Sequence, residues 1–170
     1  MIYITGDIHG EVLKRISKLR KTHAINHDEQ NILIITGDCC VVWDNSSYKT
    51  INYIEKWIKQ YFPSLIIISV LGNHENYTKI YDSPKASLFG ADVFKISDSI
   101  YFLENGNIYT IEGKTFAVFG GALSIDREYR KLNKSYWSEE IPSMEQRQKL
   151  IDNLDNGYKH DTGRFCVQNH

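Results

Sequence analysis

Three short polar clusters in the first half of this 170-residue chain carry side chains able to do chemistry: Gly6-Asp7-Ile8-His9-Gly10, Gly37-Asp38 and Gly72-Asn73-His74-Glu75. Asp7, His9, Asp38 and Asn73 together offer carboxylate oxygen, imidazole nitrogen and amide oxygen. That mixture suits borderline-to-hard divalent cations such as Mn, Fe, Zn or Ni and needs no thiolate. A glycine beside each cluster lets the backbone turn sharply or approach an ion with no Cβ in the way. Taken singly, a Gly-Asp pair is ordinary turn punctuation. Three such clusters, in this order and each just past a predicted strand, make a pattern that turns alone do not account for.

The elements that must position these residues are legible from periodicity. Residues 2–5 form a β-branched and aromatic run ending at Gly6, and Val12, Leu13, Ile16 and Leu19 then recur at helical spacing. Residues 31–36 are a nearly continuous apolar strand, followed by a helix face marked by Ile51, Ile54, Ile58 and Tyr61 and closed by Pro63. A third buried strand covers 65–71, and residues 73–84 read as polar and irregular. In open α/β sheets, ligands bind beyond the carboxyl ends of the strands, so three loops there can deliver side chains to one place. Later, strands are expected at 100–103, 108–111 and 115–119, joined as hairpins through 104–107 and 112–114. Ser143 with Gln146 forms a capping box for a last helix whose apolar face is Leu150, Ile151 and Leu154. Phe165-Cys166-Val167 looks like a short final strand.

Bulk composition bounds the function. With 20 basic and 21 acidic residues there is no global field to gather nucleic acid or anionic membrane, so any phosphate must be captured locally. The cysteines are three, Cys39, Cys40 and Cys166. The first two are neighbours that do not easily bridge, which fits a reducing, cytoplasmic setting. No apolar run approaches the roughly 18 residues of a membrane span, and the opening Met1-Ile2-Tyr3-Ile4 shows no basic flank or small-residue cleavage site. Size and a 42% hydrophobic content fit a single domain over residues 1–170.

On its three motifs, Asp-x-His, Gly-Asp and Gly-Asn-His-Glu, the chain resembles the calcineurin-like metallophosphoesterases. The stretch Gly120-Gly121-Ala122-Leu123-Ser124-Ile125-Asp126, with Arg127 and Arg130 behind it, resembles a bacterial and phage subgroup of generic phosphoesterases. The resemblance implies an α/β fold, a four-layer α-β-β-α sandwich, and two divalent metal ions, manganese first among the candidates. It implies that Asp7 and His9 bind the first metal, Asp38 bridges both, and Asn73 binds the second. His74 would be the catalytic histidine near the leaving group, with Asn73 and His74 contacting a phosphate-ester substrate. Arg127 and Arg130, from another loop, are candidates for a phosphate-gripping fork, Arg127 being the one assigned to substrate.

His170, following the predicted final strand, stands at about the distance where the family places a lone metal-binding histidine and is a candidate second-metal ligand. The family's closing Gly-His-x-His is not found in these residues, so the chain is expected to be C-terminally truncated, with an incomplete second sheet. His23, His27 and His160 lie in polar stretches and read as exposed loop residues. Protein serine/threonine phosphatases spell the front motifs the same way but carry arginines after Gly-Asp and before Gly-Asn-His. Here Cys39-Cys40-Val41-Val42 and Leu71 stand in those places, which weakens that reading. The expected activity is metal-dependent phosphate-ester hydrolysis, the alternative being a catalytically weak remnant that acts as a binding module.

Overall fold

The computed structural model describes residues 1–21, 29–157 and 164–168. Its elements run β1 (Ile2–Thr5), α1 (Val12–Lys21), β2 (Asn31–Ile35), α2 (Ser47–Tyr61), β3 (Leu65–Ser69), α3 (Tyr77–Tyr81), β4 (Lys85–Leu88), β5 (Ala91–Lys95), β6 (Ile100–Leu103), β7 (Ile108–Ile111), β8 (Lys114–Phe119), α4 (Met144–Gly157) and β9 (Arg164–Gln168). A six-stranded sheet has the order β1-β2-β3-β6-β5-β4, and a three-stranded sheet the order β7-β8-β9. β1, β2, β3 and β6 run parallel to one another, whereas the β4–β5 hairpin extends the sheet antiparallel from β6. This is the mixed α/β architecture the sequence predicts.

The continuous apolar run of β2 is explained by burial on both faces. Leu33 and Ile35 join Ile67, Ile100 and Phe102 against Val12 and Ile16 of α1 and Ile54 and Ile58 of α2. Ile32 and Ile34 point the other way, joining Ile68, Val70 and Leu103 against Tyr109, Ile111, Phe116 and Val118 of the second sheet. Each such aliphatic side chain contributes roughly 1.5–3 kcal/mol when fully buried. Two cores back to back thus hold the central strands rigid, and their carboxyl ends with them.

Helix boundaries follow side-chain chemistry. Ser47 Oγ accepts the N–H groups of Trp43 at 2.8 Å and Asp44 at 2.9 Å at the start of α2. At its other end the Phe62 N–H closes on the Ile58 carbonyl at 2.7 Å, just before Pro63. The capping box of α4 is present in both directions: Ser143 N–H donates to Gln146 Oε1 at 2.9 Å, and Gln146 N–H to Ser143 Oγ at 3.2 Å. Leu150 and Leu154 are half-buried, but Ile151 is 50 % exposed and does not belong to the packed face.

Two expectations are corrected. Residues 104–107 do not close a hairpin, because β6 belongs to the first sheet and β7 to the second. The segment crosses between sheets, anchored by Asn105, and the hairpin that exists is β7–β8. Residues 73–84 are not irregular throughout, because α3 occupies Tyr77–Tyr81, and it is followed by the β4–β5 hairpin, which is not among the elements expected from the sequence. Its turn places Phe89 at φ 56° and Gly90 at φ 89°, a paired left-handed geometry normally announced by Asn-Gly or Asp-Gly rather than by an aromatic residue.

Candidate metal centre

The three polar clusters follow β1, β2 and β3, adjacent parallel strands whose carboxyl ends share one edge of the sheet. Backbone hydrogen bonds join the first two loops. The N–H groups of Ile8 and His9 donate to the Asp38 carbonyl at 3.3 and 2.9 Å, and Gly10 N–H donates to the Cys39 carbonyl at 2.8 Å. The third loop is tied to the second by side chains. His74 N–H donates to Asp38 Oδ1 at 2.9 Å, and the Cys40 thiol donates to the His74 carbonyl at 2.9 Å.

Ligand atoms of Asp7, His9 and Asp38 consequently lie within 4.8 Å of one another. Asp38 is buried while Asp7 and His9 are exposed, so the cluster opens outward to solvent. The imidazoles of His9 and His74 meet edge to face at 5.7 Å between centroids. Holding the cluster requires unusual backbone: His9, Asp38 and Cys40 take φ values of 43°, 46° and 54°, a region L-residues enter at a cost. At Gly72 a Cβ would overlap the Asp38 carboxylate and its backbone nitrogen, so this glycine is dictated by close approach.

Glu75 is the buried support beneath the loops. It accepts the Cys39 N–H on Oε1 at 2.7 Å and the Cys40 N–H on Oε2 at 3.2 Å, fixing the turn that carries Asp38. Complete burial pushes its carboxyl well above the usual range, aided by the Asp38 and Asp7 charges, and the two N–H donors only partly offset this. Burial likewise raises the Cys40 thiol, beside a carboxylate-rich neighbourhood. Two carboxylates and an imidazole converging at this distance fit a borderline-to-hard divalent cation, whose charge would offset their mutual repulsion.

A second set of residues reaches the site from the loop after β8. Gly120 packs so close that a Cβ would strike the Leu71 carbonyl, and Asn105 clamps it by donating to its carbonyl at 3.0 Å and accepting its N–H at 2.8 Å. From there Ser124 Oγ accepts from Asn73 Nδ2 at 3.1 Å, which uses the donor end of that amide and leaves its carbonyl oxygen for a cation. Ser124 in turn donates to the buried Glu140 through its hydroxyl at 2.8 Å and its N–H at 3.1 Å.

Arg127, expected to touch substrate, pairs with that same Glu140 at 3.4 Å and lies over the Tyr136 ring. Arg130 is the arginine in contact with His74, its Nη1 3.0 Å from Nδ1 and its Nη2 3.4 Å from Nε2. Ser124, Glu140 and Asn105 were not singled out by residue type. The only signal was the glycine pair Gly120-Gly121. His23, His27, His160 and the candidate ligand His170 lie outside the described residues.

A family model described as calcineurin-like phosphoesterase matches residues 1–163. Neither the curated proteins nor the solved structures contain a match.

Proposed function

This chain belongs to the calcineurin-like phosphoesterase family, and we propose that it hydrolyses a phosphate ester with water activated by two divalent metal ions. The observation that carries this reading is the convergence of Asp7, His9 and Asp38 within 4.8 Å at neighbouring strand ends. In this reading Asp7 and His9 would hold the first metal, Asp38 would be shared between the two, and Asn73, with His170, would serve the second. Manganese is favoured, ahead of iron, zinc and nickel. When bound, the metal pair supplies Lewis-acid charge at the phosphoryl group and a water of lowered pKa.

The protein's own residues do the rest. Asp38, held at its backbone by the first loop and at its carboxylate by His74 N–H, is fixed in orientation before any ion arrives. Asn73 is oriented by Ser124 and Glu140. In this reading His74 gives a proton to the departing ester oxygen or stabilises its developing charge. No helix among the described residues is long and apolar enough to cross a membrane, and a cytoplasmic location is part of the reading.

Purified protein assayed with Mn on a chromogenic phosphomonoester and a phosphodiester tests this. Turnover that disappears in Asp38→Asn is the expected result. Failure of the folded protein to turn over either ester with any of the four metals would overturn it and favour a metal-binding module without catalysis.

A further inference from the structure

Among the described residues the Arg130 guanidinium makes four polar contacts, and they fall on two different kinds of partner. Its guanidinium lies against His74 through both terminal nitrogens at 3.0 and 3.4 Å, and Nη1 donates to the Ser135 carbonyl at 3.0 Å. None of these three contacts supplies a negative charge. The remaining partner is an anion, Asp126, whose Oδ2 sits 2.7 Å from Nη2. The arginine side chain is only 17 % exposed, whereas that of Asp126 is 46 % exposed. A cation is therefore set into the wall beside His74, and its counter-ion comes from the solvent side.

A guanidinium fork donates to carboxylate and phosphate oxygens in the same planar geometry. We propose that Arg130 is a phosphate-binding residue and that Asp126 is an internal stand-in for the substrate anion, displaced when a phosphomonoester enters. Asp126 heads the 3-10 turn Arg127–Tyr129, so it can swing outward without disturbing a longer element. Arg127 is not available for this task, being committed to the buried Glu140.

The arrangement also selects a substrate class, an inference that rests on the two-metal reading above. A phosphomonoester carries a third non-bridging oxygen and a second negative charge that a phosphodiester lacks, so it gains more than the diester from a guanidinium beside the ions. Replacing Asp126 by such a dianion exchanges one charge-assisted pair for another, so the half-buried cation is never left alone.

Calorimetry on the full chain, titrated first with Mn and then with inorganic phosphate as the probe, separates the possibilities. Wild-type protein binds both. Arg130→Ala keeps its Mn affinity and loses phosphate affinity by about ten- to a hundredfold. Arg130→Lys, which keeps the charge without the fork, falls between. Asp126→Asn removes the competing anion and tightens phosphate by about threefold or more. That opposite sign is what a merely structural role would not give.

In turnover, Arg130→Ala raises KM for the monoester by a larger factor than for the diester. If Arg130→Ala binds phosphate like wild type, or if Asp126→Asn binds it no more tightly while Mn binding is intact, Arg130 is not the receptor. Wild-type protein that binds Mn but not phosphate overturns it equally. Wild-type protein that binds no Mn overturns the metal reading itself and this inference with it.

Discussion

The backbone N–H of His74 donates to the Oδ1 of Asp38 at 2.9 Å, so the central carboxylate and the proposed acid are positioned by one hydrogen bond. Asp38 is at once a donor atom for an ion and the acceptor that orders the third loop. Substitutions there separate the two roles.

Asp38→Asn retains an oxygen for the His74 N–H but loses the charge. It is expected to keep the fold, as read by circular dichroism, while Mn affinity measured by calorimetry falls at least about a hundredfold. Asp38→Ala loses the acceptor too and is expected to be destabilised by a further ~1–3 kcal/mol in denaturant unfolding. In wild type, Mn at a hundredfold excess over Kd should add about 2.7 kcal/mol of stability, removed by a chelator. Equal unfolding midpoints with and without Mn would contradict this.

Gly72→Ala places a methyl group on the Asp38 carboxylate. The expected cost is about 1–3 kcal/mol of stability together with weakened Mn binding in the fraction that folds. Wild-type Mn affinity in this variant would show that the contact is not limiting.

Asn105→Ala removes the clamp on Gly120. Asn105 is 1 % exposed, so the Gly120 N–H and C=O would lose their partner in a dry environment, at about 2–3 kcal/mol. Because the loop bearing Ser124 and Arg130 starts there, the variant should also lose turnover beyond what its folded fraction explains. Normal specific activity per folded molecule would separate the clamp from the site.

Asp98 gives a pH signature far from the site. Lys95 and Lys59, hydrogen-bonded to its two oxygens, hold its carboxyl down at about 2, against an ordinary 3.8. A depressed carboxyl contributes above its unfolded value and loses that contribution as pH falls from about 4 through 2. Asp98→Asn should therefore flatten the acid limb of the Tm profile in that window. The pairs are exposed, so the difference should shrink in high salt, and a salt-independent difference would refute the assignment.

The sequence made the parallel half of the fold readable because β2 and β3 are buried on both faces and therefore appear as unbroken apolar runs. The Ser143–Gln146 capping box was readable because both partners are three residues apart. β4 and β5 escaped because their strands are only half-buried and their turn uses Phe89, which advertises no left-handed geometry. The crossover at 104–107 imitated a hairpin because Asn-Gly-Asn serves either purpose locally.

Among the site residues, Asp7, His9 and Asp38 could be grouped from strand ends alone. The support could not. Asn73 meets Ser124 across 51 residues and His74 meets Arg130 across 56, and nothing local marks either pairing. Arg127 and Arg130 have the same chemistry three positions apart. Only the packing of Glu140 assigns one to the interior and the other to His74.

The left-handed backbone at His9, Asp38 and Cys40 sets a limit on engineering for heat tolerance. Glycine at any of the three would relax the main chain, yet at the first two it would also delete a donor atom, so screens that select on thermal endurance alone should drift toward well-behaved but empty proteins. Cys40 is the exception, since its side chain serves a carbonyl rather than an ion. It is the place where a library could trade that thiol for robustness and leave the donor atoms in place.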